Sequence, residues 1–299
     1  MEQQQTLKAA GAVLVAMAVL GIIDNYVTVI AEDAGLWQFH ALRTSMALPA
    51  LWILAMFQRQ SLCPERIGPV AVRSFLTGTG LLIYFGCLGF LSVSQAAAGV
   101  FTAPIFVLVF SVLFLKMRIG FWHIVAMAIG FSGVLLVLRP DLTTGSFTTL
   151  IPVAAGALYA LGMMVTRQKC AQENTLTLLA GFFLVLGIWG VLGLVAVSFF
   201  PVADAPETAA FVTRGWDEIT PRFLFWTFVQ AIGSIFAVGL ITWGYQKGET
   251  SYVAIFEYSL LIFAAIWGWL LWGQTLDTLG LVGIAMIIIS GAVIALRAR

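Results

Sequence analysis

The chain has 299 residues, of which 61% are hydrophobic and only 10% charged, and its net charge at pH 7 is +1. That composition excludes a soluble globular domain and fits a polytopic helical membrane protein. The few Lys and Arg are scattered in short loops with no basic stripe, so nothing supports nucleic acid as a partner. The three cysteines show no CxxC spacing and there are only two histidines, which suggests neither a disulfide framework nor a metal centre.

A bilayer crossing needs about 20 mostly apolar residues. The apolar runs predict ten spans, near 9–30, 36–57, 69–91, 93–115, 119–138, 148–166, 175–199, 223–246, 250–272 and 277–296. The first run is too long for the apolar part of a signal peptide and is expected to be a retained span. Basic residues cluster on one side: Lys8, Arg59, Arg66, Arg73, Lys116, Arg118, Arg167, Lys169, Lys247, Arg297 and Arg299, against Arg139, Arg214 and Arg222 on the other. The positive-inside rule then places both termini in the cytoplasm of a multi-pass inner-membrane protein.

Ionisable residues inside a membrane are costly and mark candidate function. In the first hairpin, Asp24 and Asn25 precede a turn at Glu32-Asp33-Ala34-Gly35, and His40 and Arg43 follow it. At about 1.5 Å per residue, Asp24 and Arg43 lie about 10 Å below the same membrane face. This predicts an ion pair, acting either as a structural lock of the hairpin or as a substrate-recognition pair. His40 is a candidate proton group or donor. Along the third span Arg73, Thr77, Gly80 and Tyr84 share one helical face, as do Pro152, Gly156, Tyr159, Met163 and Thr166 on the sixth. These faces line a pathway or simply pack, since small residues and Thr are ordinary at membrane helix contacts. Arg73 reads as a snorkelling anchor at the cytoplasmic end.

Pro49, Pro104 and Pro152 are hinge candidates within spans. Gln95 opens the fourth span, and Gln230 with Ser234 one turn later forms a polar face on the eighth. Trp243 and Tyr245 read as interfacial. The ninth span carries Tyr252, Glu257 and Tyr258, with Glu257 roughly 10 Å deep from the cytoplasmic end. Glu257 either binds a cation or proton or makes a structural hydrogen bond. Between the seventh and eighth spans, segment 200–222 with Trp216 predicts a short interfacial helix on the non-cytoplasmic side, with a cap over a pathway as the alternative.

Residues 102–138 resemble residues 260–296 at an offset of 158, which places Leu113 on Leu271, Lys116 on Gln274 and Gly133 on Gly291. The expected architecture is all-α: two five-helix repeats, 1–144 and 145–299, inserted with opposite topology because five is odd. Ten spans in two such halves, each ending in an apolar–turn–apolar unit, resemble the drug/metabolite transporter superfamily, EamA type. Its degenerate motif matches at Pro104 and departs at Lys116, where an acid is usual, at Leu261 or Ile262 in place of Pro, and at Gly273-Gln274 in place of Gly-Glu.

The resemblance implies a secondary transporter without cofactor, working by alternating access. The aromatic-rich apolar spans are similar to bacterial inner-membrane exporters of amino acids and metabolites. On that reading the substrate is a small organic molecule, an aromatic or apolar amino acid first. Asp24 and Arg43 meet its charges, Tyr84, Tyr159 and Tyr252 supply ring and hydroxyl contacts, and Glu257 acts near the inner side. The scattered acids permit proton coupling without requiring it, and the oligomeric state is not readable. Sugars or nucleotide conjugates are the alternative cargo. No phosphate loop, HExxH or GxSxG occurs, so an ATPase is excluded, and a membrane enzyme or channel is the rival class.

Overall fold

The computed structural model describes residues 2–115, 121–138, 150–201, 206, 209–248, 256–275 and 277–297. Every regular element among them is helical. They are α1 (Glu2–Asn25), α2 (Val27–Asp33), α3 (Leu36–Gln58), α4 (Ile67–Cys87), α5 (Val93–Val100), α6 (Ala103–Leu115) and α7 (Phe121–Leu138). The second half holds α8 (Ile151–Lys169), α9 (Thr175–Phe199), α10 (Ala210–Thr213), α11 (Pro221–Lys247), α12 (Ser259–Trp272) and α13 (Thr278–Arg297).

Five helices among the described residues are long and apolar enough to cross a membrane: Lys8–Asp33, Leu36–Gln58, Ile67–Cys87, Thr175–Phe199 and Pro221–Lys247. Shorter apolar helices include Ser259–Trp272 and Thr278–Val293. The protein is therefore a multi-pass membrane protein. Bulky apolar side chains such as Trp52, Phe57, Phe199, Phe225 and Trp269 are exposed on its outside, where lipid is their solvent.

Among the described residues the expected spans fall on helices, except where local chemistry breaks them. The first is two helices divided by a one-residue turn at Tyr26, whose ring stacks on Trp226 at 3.6 Å. The fourth is α5 and α6, divided at Phe101–Thr102. There the Thr102 hydroxyl donates to the Gly99 carbonyl at 2.7 Å and Pro104, which has no amide hydrogen, stands in the first turn of α6. Ahead of the ninth, Phe256 and Glu257 are helical, Tyr258 turns, and α12 begins at Ser259.

Helix ends follow the sequence. Ser92 and Gln95 form a reciprocal capping box on α5, Asn174 caps α9 and Thr220 caps α11. Gly273 ends α12 with φ 64°, a left-handed conformation that glycine reaches without strain.

The main helix pairs are α1 with α11 and α12, α3 with α9 and α11, α4 with α8 and α9, α5 and α6 with α8, and α7 with α13. Several crossings among the described residues bring backbone against backbone. A Cβ at Gly133 would stand 2.7 Å from the Gly283 carbonyl oxygen, and one at Gly283 would stand 2.7 Å from that of Gly133. At the α5–α8 crossing, a Cβ at Gly156 would lie 2.8 Å from the carbonyl oxygens of Gly99 and Val100. With no hydrophobic force between helices in lipid, such close approach is what holds them.

Both ends of the bundle are tied. At the end carrying the α2–α3 turn, the chain before α11 folds over α2 and α3. Trp37 Nε1 donates to Val212 O at 2.7 Å, and Gln38 and the Asp217 backbone exchange two bonds of 2.9 and 2.8 Å. Arg222 pairs with Asp33 and Glu32, and Thr220 donates to Asp33 at 2.9 Å. Residues 209–222 thus form a strap over the hairpin, with Phe211 of α10 buried, rather than only an interfacial helix; residues 202–205 and 207–208 of the expected segment lie outside the described residues. At the other end the Glu173 carboxylate accepts from the backbone amides of Glu65 and Arg66 at 3.1 and 2.9 Å, where α4 begins.

Candidate functional site

A cavity of about 80 Å³ lies inside the bundle where α1, α3, α4, α8, α11 and α12 converge. Asp24, Arg43, Arg73, Tyr84, Tyr159 and Glu257 all line it, amid apolar side chains such as Leu81, Phe182 and Leu260. Each of the four charged residues is buried.

Asp24 and Arg43 do not form the direct ion pair that their matched depth predicts. A relay on α11 stands between them. The Asp24 carboxylate accepts from Tyr84 Oη at 2.9 Å and from Gln230 Nε2 at 3.1 Å. Ser234 donates to Gln230 Oε1 at 3.3 Å and itself accepts from Arg43 Nη2. Both residues line the one cavity, but the angle about the helix axis and the intrusion of α11 are not readable from spacing.

Arg43 is 2% exposed, and its Nε and Nη1 have no hydrogen-bond partner. Its guanidinium sits 4.7 Å from the Phe85 ring centre and 5.5 Å from those of Phe39 and Phe183, which offer cation–π attraction but no acceptor. His40 is fully buried against Phe39 and Phe85 with neither ring nitrogen partnered, and it does not line the cavity.

Glu257 forms the second acidic centre. Tyr159 donates to Oε1 and Tyr245 to Oε2, each at 2.8 Å. Tyr245 is 3% exposed and belongs to this site rather than to an interfacial belt. Arg73 likewise does not snorkel: it is 1% exposed, and it donates to Thr166 Oγ1 at 3.1 Å, Leu178 O at 2.9 Å and Thr242 Oγ1 at 3.2 Å. The helical face it shares with Thr77 and Tyr84 was the signal that points it inward.

The other predicted residues lie around this centre. Asn25 bridges helices, donating to Gly21 O at 2.7 Å and to Ala264 O at 3.3 Å. Gln95 is spent on the α5 cap and lines a separate cavity. Tyr258 is buried edge-on to Phe101 and does not line the central cavity. Tyr252 lies outside the described residues. Of the hinge candidates only Pro49 is inside a helix; Pro104 and Pro152 occupy first turns, where the missing amide hydrogen breaks no intrahelical bond. Among the described residues no cluster of His, Cys, Asp and Glu is arranged to hold a metal ion.

Residues 7–139 match the EamA-like transporter family. The pseudopaline exporter of Pseudomonas aeruginosa strain UCBPP-PA14 is 24% identical over 254 residues, covering 83% of this chain and 82% of the exporter. An uncharacterized transporter of Helicobacter pylori strain 26695 is 21% identical over 290 residues, 96% of this chain and 94% of its own. A riboflavin transporter of Vibrio cholerae is 23% identical over 258 residues, 85% and 80% of the two chains. One crystal structure aligns over 100% of this chain and 99% of its own, with a TM-score of 0.64 at 16% identity, which shows a common fold. The buried polar cavity in a membrane bundle and these likenesses agree: together they support a transporter of the drug/metabolite superfamily, EamA type.

Proposed function

We propose that this protein is a secondary carrier that exports small organic metabolites, aromatic or apolar amino acids first, by alternating access across the inner membrane. The observation that carries the reading is Arg43. A buried guanidinium with two unpartnered nitrogens faces the same cavity as the Asp24 carboxylate. Unsatisfied charged donors in an apolar interior cost on the order of several kcal/mol, so a ligand acceptor that completes them gains that energy. A carboxylate on Arg43 and an ammonium near Asp24 suit a zwitterion, and the surrounding Phe and Leu side chains suit an apolar body.

In this reading residues 1–144 and 145–299 are inverted repeats with cytoplasmic termini. The helix pairings support it. Exchanging each helix for the one five spans away turns the α1–α11 pair into α8–α4 and α3–α11 into α9–α4, and it returns α3–α9 and α7–α13 to themselves. Pro49, mid-helix beside Arg43, is the remaining hinge candidate. Glu257, held by two phenols at the other end of the cavity, is the group that would carry a coupling proton.

A second cargo, a nucleotide-like or other ring-bearing conjugate, is favoured by the relatives described as riboflavin transporters. Counterflow of labelled amino acids into proteoliposomes preloaded with unlabelled substrate separates the two. Phe, Tyr, Trp or Leu counterflow above protein-free vesicles is expected. Its absence, with flavin or nucleotide counterflow present, moves the cargo to the second class, and failure of both removes the carrier reading.

A further inference from the structure

The carrier reading gives His40 no part, yet its burial needs a reason. The side chain is fully buried, and neither Nδ1 nor Nε2 has a hydrogen-bond partner. A neutral imidazole carries one donor and one acceptor, so both are left open. Native interiors leave few such groups, because each has given up its bonds to water. An apolar side chain would fill the same space without that loss.

The open nitrogens of His40 lie beside those of Arg43. The two residues are one turn apart on α3, about 4.5 Å along the axis, with His40 nearer the α2–α3 turn. Phe85 covers both. Its ring centre lies 4.7 Å from the Arg43 guanidinium carbon and 5.2 Å, edge-on, from the His40 ring. Phe85 lines the central cavity and His40 does not. Two nitrogens of Arg43 and two of His40 thus stand unpartnered around one phenyl ring. At least three of the four carry a hydrogen to donate, which is what a carboxylate needs.

Phe85 also sits where α4 is about to end. The last helical residue is Cys87, and the Phe85 carbonyl accepts from the Leu88 amide at 3.1 Å in the turn that follows. At Gly86 an added Cβ would meet only the side-chain ends of Leu36 and Val212, at 3.4 and 3.5 Å, so no backbone is wedged there. The residue before, Tyr84, holds the Asp24 carboxylate through its hydroxyl, and its ring touches that of Phe85 edge-on at 5.4 Å. Two adjacent side chains of one helix end therefore cover the cation and hold the anion.

We propose that His40 is a second carboxylate subsite and that Phe85 is the ring that closes it off from the central cavity. This rests on the carrier reading above and names the step after binding at Arg43. The solute's ammonium competes with Tyr84 for Asp24, the end of α4 loosens, and the Phe85 ring turns away from His40. The carboxylate is then shared between the two residues and moves one turn towards the α2–α3 turn, accepting from a ring N–H of His40. A solute with an amine alone gains nothing at this subsite.

Carbethoxylation of histidine tests this without needing the cargo. The chain has two histidines, so peptide mapping by mass spectrometry reads His40 against His123 in one sample. The purified protein in detergent is treated with diethyl pyrocarbonate at fixed neutral pH. Reaction of a covered group follows the population of the open form, so His40 is expected to react about tenfold faster in Phe85→Ala than in the parent. Phe85→Leu, a smaller truncation, is expected to give about threefold and carries the test should the alanine variant not fold. Phenylacetate, a carboxylate without an ammonium, is expected to slow the reaction in the opened variant about fivefold by occupying the subsite, and phenethylamine to leave it unchanged. Adding Arg43→Ala is expected to remove most of that protection. Equal rates in the parent and both Phe85 variants overturn the gate. Protection by neither compound, or by both alike, overturns the subsite. His40→Leu separates a ligand from a packing role: it removes both nitrogens and keeps an apolar body, so its thermal midpoint is expected to equal or exceed the parent's. A midpoint lower by about 5 °C or more would make His40 structural and overturn the proposal. Labelling as expected in a protein that shows no counterflow overturns the carrier reading alone, and counterflow with His40 ungated overturns only the subsite.

Discussion

The two charged centres of the cavity are built from the same parts and finished differently. Each has one carboxylate, at least one tyrosine donor and one arginine buried nearby. Arg73 meets three acceptors from α8, α11 and the start of α9. Arg43 meets one, the Ser234 hydroxyl, and is otherwise surrounded by phenyl rings. A saturated buried arginine is a strut that ties helices together. An unsaturated one is stable only because the rest of the fold holds it, and it is the position where a ligand gains most. The comparison therefore separates Arg73, a structural tie, from Arg43, the proposed binding position, although each is one buried arginine in an apolar span.

The largest expected effect follows from that division. Arg43→Ala is expected to lower substrate counterflow about 100-fold or more, because a site built to pair a charge is left without its donor. Arg73→Ala is expected to lower the thermal midpoint in detergent far more than Arg43→Ala does, by the loss of three charge-assisted bonds worth about 1.5 kcal/mol or more each. Intact transport in Arg43→Ala, or equal destabilisation by the two changes, would break the comparison.

The relay sharpens it. Asp24→Asn and Arg43→Lys are expected to couple by about 0.5–3 kcal/mol in a double-mutant cycle on stability. In a Gln230→Leu background, which removes the side chain that joins them, most of that coupling is expected to vanish. Coupling that survives would mean direct attraction through the cavity.

Glu257 is expected to matter more for pH dependence than for binding. Counterflow by the parent protein is expected to vary between about pH 5 and 8, and Glu257→Gln to flatten that profile while leaving the thermal midpoint within a few degrees. A profile unchanged by Glu257→Gln would make the tyrosine-bound carboxyl a structural group.

The smallest effect belongs to the strap. Asp33→Ala removes its bonds to Arg222 and Thr220, but Arg222 is half exposed, and such pairs contribute about 1 kcal/mol or less. A large loss of stability there would mean that the strap, rather than the cavity arginines, holds the hairpin.

Much of the site was legible in residue type and depth. Asp24, Arg43, Tyr84, Tyr159 and Glu257 stand out because charged and phenolic groups are rare in apolar spans, and all five line one cavity. Gln230 and Ser234 were legible as a polar face, one turn apart on α11. Partner choice was not. Asp24 and Arg43 were expected to pair with each other because two helices were considered at a time, and a third helix, α11, put an amide and a hydroxyl between them. Tyr245 and Arg73 were placed at the interface by their distance from a loop, yet both turn inward.

The sequence by itself determined the elements and the medium. Long apolar runs cannot stay in water, and a backbone in lipid must bond within its own helix, so spans, caps and turns follow from local composition. Only the tertiary structure decided which polar groups meet. Helix rotation, the breaks at Tyr26, Thr102 and Tyr258, and the glycine crossings that set helix spacing are all fixed by packing among partners distant in sequence. A shift of one residue turns a side chain by about 100°. That is why depth could be counted along the chain, while the bond from Tyr84 to Asp24 and the open face of Arg43 could not.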